Sequence, residues 1–208
     1  MEFSDRIMSL EELRAVIPSP NGIVANKEVD QLDEYCRDFI SRSPFVLIAS
    51  TDGMGSIDVS PKGDPPGLVK VLDATTLAIP DRPGNHRADT FVNILGHPFV
   101  GLIFLIPGTR NTLRVRGTAT IVRDADLLDS MAIDGRVPQL ALVVSITSAF
   151  FHCAKCIIRS GLWEGEARDT SDSDALFLAE TMVKHGELSL TVDEMREVII
   201  NDEVRRLY

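Results

Sequence analysis

The segment FVLIASTDGMGSIDVS, residues 45–60, decides the fold of this chain. It opens with the apolar run Phe45–Ser50, turns through an Asp-Gly pair inside Thr51–Gly55, and continues with alternating apolar and polar residues. An Asp-Gly pair between two such runs is a strong signal for a β-hairpin. We therefore predict two adjacent antiparallel strands, with Ile57 and Val59 on one face of the second.

Short strands continue along the chain without the regular strand–helix alternation of a doubly wound sheet. Thr112–Ile121 alternates cleanly, whereas Phe99–Ile106 is apolar throughout and is predicted to be buried on both faces. Consecutive short strands favour a mainly β protein of the α+β class, built as an antiparallel barrel. The other predicted strands cover Leu68–Leu72, Thr75–Ile79 and Gln139–Lys155, and Pro61–Gly67 is predicted to be a loop.

Helices are predicted near both ends of the chain and at one insertion. Ser9 with Glu12, and Thr191 with Glu194, form the capping-box pattern that starts a helix. The predicted helices cover residues 9–17, 28–42, 124–131, 174–186 and 191–207.

The composition limits the classes of partner. A net charge of −10 makes nucleic acid and anionic membranes poor partners, and we expect neither. No apolar run approaches the roughly 20 residues of a membrane helix, and the first residues lack a secretory pattern. Three cysteines suit a reducing compartment, so we expect a cytoplasmic protein. Residues 74–120 nevertheless carry five arginines against two aspartates, a local balance of +3.

The most informative part of that cationic region is IPDRPGNHRADTFVNIL, residues 79–95. A helix is predicted to begin at Asn85, a preferred N-cap residue, and to end at Gly96. A helix N-terminus flanked by Arg82 and Arg87 is a typical site for an anion, most often a phosphate. The alternative, that both arginines are solvated surface residues, stays open at this point.

Other cationic residues follow the ends or the faces of predicted strands. Each could bind an anionic ligand, and each could equally be an ordinary surface or packing residue. The cationic candidates are Lys62 after the hairpin, Arg114 and Arg116 on the polar face of one strand, and Lys155 and Arg159 after the last strand. The aromatic Trp163 follows the last two and is a candidate with them.

The pair Cys153-Ala-Lys-Cys156 has the spacing of redox dithiols and of half a zinc site. We predict that it lies within or at the end of a strand and not at a helix N-terminus, and no second such pair follows. Dithiol redox chemistry is therefore the weakest functional interpretation of this sequence. No metal site and no hydrolytic triad are expected.

Five motifs in this order resemble the pyridoxamine 5′-phosphate oxidase-like flavoproteins. They are SPKGDPPG (residues 60–67), the loop and helix at 79–95, PFVGLIFLIPG (98–108), TLRVRG (112–117) and HCAKCIIRSGLW (152–163). The resemblance covers about residues 43–165. It implies an N-terminal helical extension over 1–42, an FMN-binding split-barrel domain over 43–165, and C-terminal acidic helices over 166–208.

The resemblance implies a six-stranded antiparallel split β-barrel that forms a homodimer and binds FMN at the dimer interface. The segment matching Val59, Ser60 and Lys62 would run along the flavin ring. The implied ring and phosphate contacts of the next segment are Ile79, Asp81, Arg82, Asn85 and Arg87. Further implied cofactor contacts, the last three offered by either subunit, are Thr112, Arg114, Lys155, Arg159 and Trp163.

The sequence departs from the family pattern in the phosphate motif, where Asn85-His86-Arg87 puts a histidine in place of one cation. The substrate-binding arginine and histidine of the vitamin B6 oxidases have no clear match after Trp163. We therefore expect an FMN-dependent oxidoreductase acting on a small molecule or on a second nicotinamide or deazaflavin cofactor. The alternative is a non-catalytic FMN-binding protein for storage, sensing or electron transfer.

Overall fold

The computed structural model describes residues 3–20, 27–165 and 171–205. Its centre is a seven-stranded antiparallel sheet. The strands are β1 (Phe45–Thr51), β2 (Ile57–Gly63), β3 (Lys70–Val71), β4 (Thr76–Pro80), β5 (Phe99–Leu105), β6 (Thr112–Val122) and β7 (Ala141–His152). They stand in the order β2-β1-β5-β6-β7-β4-β3. The α+β class and the antiparallel hairpin of β1 and β2 are confirmed.

The strand count differs from the six strands implied by the family resemblance. The additional strand is β3, which is only two residues long because it pairs with Ala78 and Leu77 of β4 and then leaves the sheet. Among the described residues no backbone pairing joins β2 to β3, the two edge strands. Closure of the sheet into a barrel therefore stays a prediction.

The described part of the chain contains seven helices. They are α1 (Leu10–Val16), α2 (Glu34–Arg42), α3 (Asp89–Gly96), α4 (Ala125–Asp129), α5 (Lys155–Ser160), α6 (Ser171–His185) and α7 (Val192–Arg205). The predicted caps of α1 and α7 are confirmed, since Ser9 accepts from the Glu12 amide and Thr191 exchanges hydrogen bonds with Glu194. None of the described helices is long and apolar enough to cross a membrane.

Helix α2 begins six residues later than the predicted start at residue 28. The Asp33 carboxylate caps it by accepting a 2.8 Å hydrogen bond from the Cys36 amide. Before that cap, Val29 exchanges two backbone hydrogen bonds with Ala149 of β7, at 2.8 and 2.9 Å. Backbone bonded to a strand cannot continue a helix, so the apolar periodicity at Val29 was misleading.

Strand β2 extends through Pro61 and Lys62, where a loop was predicted. Pro61 lies opposite Leu47 of β1, and an edge strand tolerates proline because its outer side makes no ladder bonds. Ile57 and Val59 do share a face, but they are 75% and 56% exposed. The apolar face of this strand therefore points away from the core.

The core lies on one face of the sheet and is closed by α2 and α3. Alternate residues of β5, namely Val100, Leu102 and Phe104, are buried there together with Phe39 and Ile40 of α2. The prediction that β5 is buried on both faces is wrong, because the other face is half-buried and Phe99 is 58% exposed.

Strands β6 and β7 form the longest ladder of the sheet, and it contains one irregularity. The register shifts between Arg116 and Gly117, opposite Ser148 and Ile146, so Thr147 is the extra residue of a β-bulge. A Cβ built on Gly117 would lie 2.2 Å from the Ser145 carbonyl oxygen. This close approach requires glycine at position 117.

We expect Gly117→Ala to lower the free energy of unfolding by about 1–3 kcal/mol, because the added methyl must displace β7 backbone. The matched control is Gly101→Ala in the neighbouring β5, where the nearest atom to the new Cβ is Ala49 Cβ at 3.9 Å. Urea unfolding followed by circular dichroism measures both. Equal midpoints for the two variants would contradict the steric account.

Candidate functional site

A pocket of about 600 Å³ lies between β2, the loop from β4 to α3, and the segment before β7. The wall before β7 is tied to the loop, since the Asp81 amide donates a 2.9 Å hydrogen bond to the Leu140 carbonyl. The pocket brings together seven of the predicted site residues: Val59, Ser60, Lys62, Asp81, Arg82, Asn85 and Arg87.

Arg82 makes a buried ion pair that holds this pocket in shape. Its Nε lies 2.7 Å from a carboxylate oxygen of Asp64, whose side chain is 1% exposed. A second nitrogen of the guanidinium donates to the Met131 carbonyl at 3.0 Å. Asp64 follows the end of β2 and Arg82 follows the end of β4, and four other strands stand between these two in the sheet order. The ion pair therefore joins two distant parts of a curved sheet.

Lys62 and Asp81 face each other across the pocket, and both are half-buried. Burial lowers the pKa of Lys62, and the carboxylates of Asp81 and Asp58 partly offset this effect. Burial likewise raises the pKa of Asp81, with Lys62 as the main opposing influence. The Lys62 ammonium also donates to the Ser60 hydroxyl at 2.5 Å. These groups form a polar centre whose charges are stabilised mainly by one another.

The loop before α3 differs from the prediction that Asn85 caps the helix. Asn85 accepts a 3.1 Å hydrogen bond from the Arg87 amide, and α3 begins only at Asp89. The N-cap residue is Ala88, with a positive φ of 54° and no side-chain cap bond. Since Ala88, Asp89 and Thr90 line the pocket, the first amides of α3 lie at its wall, where an anion could accept hydrogen bonds from them.

The pocket is less cationic than the sequence indicated. Its lining contains Lys62, Arg82 and Arg87 but also Asp58, Asp81 and Asp89. Arg87 pairs with Asp89 at 2.7 Å, and this hydrogen bond raises the pKa of Arg87. The Arg87 side chain is 72% exposed, so its pairing is easily exchanged for another anion.

The remaining predicted site residues lie elsewhere in the protomer. Ile79 is 1% exposed and belongs to the core. The Arg114 guanidinium lies 5.1 Å from the centre of the Phe150 ring, and the Trp163 indole donates to the Thr109 carbonyl at 2.9 Å. The set absent from the pocket lining is Ile79, Thr112, Arg114, Lys155, Arg159 and Trp163.

Several pocket residues were not foreseen from the sequence. Asp58 accepts a 3.3 Å hydrogen bond from the Thr90 hydroxyl and so links β2 to the first turn of α3. The wall at residues 137–140 precedes a strand and carries no motif. The alternation of β2 places Asp58 on the same face as Ser60, and this was the only sequence signal for Asp58. Residues 137–140 had no such signal.

The position of the cysteine pair was predicted wrongly. Strand β7 ends at His152 and α5 begins at Lys155, so Cys153 precedes the helix and Cys156 lies in its first turn. The apolar run that predicted a strand to Lys155 continues into α5, where Ile157 is buried.

The sheet order and the pocket define an α+β protein with a polar pocket at the edge of an antiparallel sheet. Residues 32–153 match the family model described as pyridoxamine 5′-phosphate oxidase. The chain belongs to this family, and the resemblance noted from its motifs is confirmed.

Solved structures show similarity at low identity. HupZ of Group A Streptococcus is 17% identical with a TM-score of 0.48, covering 58% of this chain and 93% of that chain. A protein described as a putative pyridoxamine 5′-phosphate oxidase from Lactobacillus delbrueckii is 22% identical with a TM-score of 0.48, covering 59% and 95%. An FMN-binding protein from Syntrophomonas wolfei is 11% identical with a TM-score of 0.42, covering 55% and 86%. No curated protein matches the sequence.

We expect Arg82→Ala to lower the free energy of unfolding by about 3–5 kcal/mol, because it removes the guanidinium from a buried ion pair with the Asp64 carboxylate. Arg42→Ala is the matched control, since it breaks an ion pair with Asp38 whose side chains are 55% and 61% exposed. Urea unfolding compares the two variants. If they shift the midpoint equally, the Arg82 pair does not stabilise the fold.

The pH dependence of stability should distinguish Asp81 from an exposed carboxylate. Because the pKa of Asp81 is raised in the folded protein, folding favours its protonated form, and this stabilisation is lost as the pH rises through the folded-state pKa. We therefore expect Asp81→Asn to gain stability relative to the wild type as the pH rises from about 3 to 7.

Asp52→Asn is the control of opposite sign. The Met54 amide lowers the pKa of Asp52, so its contribution is present at higher pH and is lost as the pH falls through the folded-state pKa. Relative to the wild type, this variant should lose stability as the pH rises. Urea unfolding at a series of pH values measures both differences, and parallel slopes would refute the assignment.

Proposed function

We propose that this chain is an FMN-dependent oxidoreductase. The observation that carries the proposal is the convergence of Ser60, Lys62, Asn85 and Arg87 on one pocket whose wall includes the uncapped N-terminus of α3. Its volume of about 600 Å³ falls within the range of roughly 300–1,000 Å³ that is typical of small-molecule sites. When bound, FMN would supply hydride or electron transfer.

The donor set fits a phosphate monoester. Such a group carries a charge of about −1.5 to −2 near neutral pH and accepts hydrogen bonds at three oxygens. The α3 amides and the exposed guanidinium of Arg87 would supply donors, with Lys62 as a further cation. Arg82 would act indirectly, because two of its nitrogens already donate hydrogen bonds to the Asp64 carboxylate and the Met131 carbonyl. It positions the loop that carries Asn85 and Arg87.

A homodimer would complete the site. The expected contacts Thr112, Arg114, Lys155, Arg159 and Trp163 do not line the pocket of their own protomer, so we assign them to the FMN site of a partner subunit. The exposed Ile57, Val59 and Phe99 supply an apolar face for that association. We further propose that the sheet closes as a split barrel and that the protein is cytoplasmic. The proposed FMN-binding domain covers residues 43–165, between an N-terminal and a C-terminal helical extension.

A non-catalytic FMN-binding protein is the second candidate. It is favoured by the pairing of the three pocket cations within the protein: Lys62 with Ser60, Arg82 with Asp64 and Arg87 with Asp89. Such an arrangement supports binding and offers no unpartnered acid or base among these cations.

The substrate of the proposed oxidoreductase would be a small molecule or a second redox cofactor.

The phosphate assignment is tested by comparing FMN with riboflavin, which lacks the phosphate. We expect Arg87→Ala to raise the Kd for FMN about 10- to 100-fold, because it removes a charge-assisted hydrogen bond, and to leave the Kd for riboflavin unchanged. Arg42→Ala, which lies outside the pocket, is the control. Flavin fluorescence quenching measures both ligands. A protein that binds neither flavin would overturn the proposal, and equal effects on both ligands would overturn the role of Arg87.

The two candidates are separated by turnover. The FMN-loaded protein is reduced anaerobically with a nicotinamide or deazaflavin donor, and its absorbance is followed as acceptors are added. Repeated cycles of reduction and reoxidation support the enzyme. Bound flavin that accepts no electrons from either donor supports the binding protein.

A further inference from the structure

Cys153 and Cys156 form an accessible dithiol outside the pocket. Both thiols are free and exposed, whereas Cys36 is buried in α2. None of residues 151–163 lines the pocket of its own protomer. The proposed FMN site of the dimer takes Lys155, Arg159 and Trp163 from this segment but assigns no role to either cysteine.

The backbone places the two cysteines at the separation of a disulfide. Ala154 has helical angles, φ −65° and ψ −11°, and α5 follows at once, so one helical turn separates Cys153 from Cys156. Their Cα atoms are thus about 5 Å apart, within the range of roughly 4.4–6.8 Å that disulfides require. The Cys156 sulfur already lies 4.0 Å from the Cys153 carbonyl oxygen. The backbone separation therefore meets the requirement for a disulfide between the two cysteines.

The surrounding structure holds this turn in place from both sides. Before it, His152 pairs with Thr112 across the β6–β7 ladder. Within α5, Ile157 is 7% exposed, and after it the Trp163 indole is bound to the Thr109 carbonyl. A bond between the cysteines would therefore close a ring on a backbone that is already fixed.

A metal is the less suitable ligand for this pair. A structural zinc site needs four ligands, and two thiolates supply half of them. Among the described residues no group of three histidine, cysteine, aspartate or glutamate side chains could hold a metal ion. Thiol–disulfide exchange needs only the two sulfurs that are present.

We propose that Cys153 and Cys156 form a reversible intramolecular disulfide by exchange with a low-molecular-weight disulfide such as oxidised glutathione. One thiolate attacks the small disulfide, forms a mixed disulfide and releases one glutathione thiol. The other thiolate attacks the protein sulfur of that mixed disulfide, forms the bond between Cys153 and Cys156, and releases the second thiol. The two cysteines lose two electrons to the small disulfide, and their two protons leave with the released thiols.

Trypsin offers a direct assay because its cleavage site after Lys155 lies between the two cysteines. The full-length protein is equilibrated in glutathione buffers, quenched with acid, alkylated and digested. In the oxidised protein, peptides Val137–Lys155 and Cys156–Arg159 should remain joined until a reductant is added. The peptide containing Cys36 should carry a free thiol in both states.

The dependence on glutathione concentration identifies an intramolecular bond. At a fixed ratio of reduced to oxidised glutathione, tenfold dilution of the buffer should raise the ratio of oxidised to reduced wild-type protein about tenfold, because two thiols are released per disulfide formed. Cys153→Ser and Cys156→Ser should form only mixed disulfides, whose fraction does not change on this dilution. Wild-type peptides that separate without reductant, a wild-type ratio insensitive to dilution, or disulfide-linked chains on non-reducing electrophoresis would overturn the proposal.

Discussion

The buried ion pair of Arg82 and Asp64 is the contact on which the geometry of the pocket depends. It connects the residue after β2 to the loop after β4, although β1, β5, β6 and β7 stand between these strands in the sheet. A flat sheet of that order would keep the two chain segments far apart, since neighbouring strands are about 4.8 Å from one another. Curvature brings them together, and the ion pair joins them beside the pocket that Lys62 and Asp81 line. The site is therefore a property of the whole sheet and not of one loop.

The cations of this pocket are paired with other groups of the protein, so a bound anion would have to replace one of these partners. A surplus of cations would attract anions without selection, but each cation here already has a partner within the protein. In the proposed function, an incoming phosphate would replace Asp89 as the partner of Arg87, and the exposed pair costs little free energy to separate. The Arg82 pair, which is buried, is costly to separate. Arg82 and Arg87 have similar sequence contexts but differ in burial. The buried Arg82 holds the loop in place, whereas the exposed Arg87 is accessible to a ligand.

Local patterns in the sequence predicted local structure well. The Asp-Gly turn of the first hairpin, the alternation of β6 and the cap at Thr191 depend on neighbours within a few residues, and all three are confirmed. Errors arose where a distant partner decided the outcome. Val29 carries helical periodicity but bonds to Ala149, and Pro61 looks like a loop residue but lies on an edge strand.

The site shows the same limit. The sequence indicated which segments carry the pocket, because a phosphate loop has recognisable residue types. It could not indicate that Arg82 would be bound to Asp64, since that pairing depends on the curvature of the sheet. The family motifs extended the prediction to residues outside the pocket, including Lys155 and Trp163, whose assignment needs a second subunit.

Trp163 also has a spectroscopic consequence. It is the only tryptophan of the chain, and its indole is held against Thr109, between β5 and β6 in the chain. Helices α6 and α7 pack around a separate small core of Ala175, Ala179, Met195 and Ile199, and neither contains an indole. Intrinsic tryptophan emission therefore monitors the junction between the sheet and α5. The terminal helix pair could melt without changing that emission, and far-ultraviolet dichroism would be the signal that records its loss.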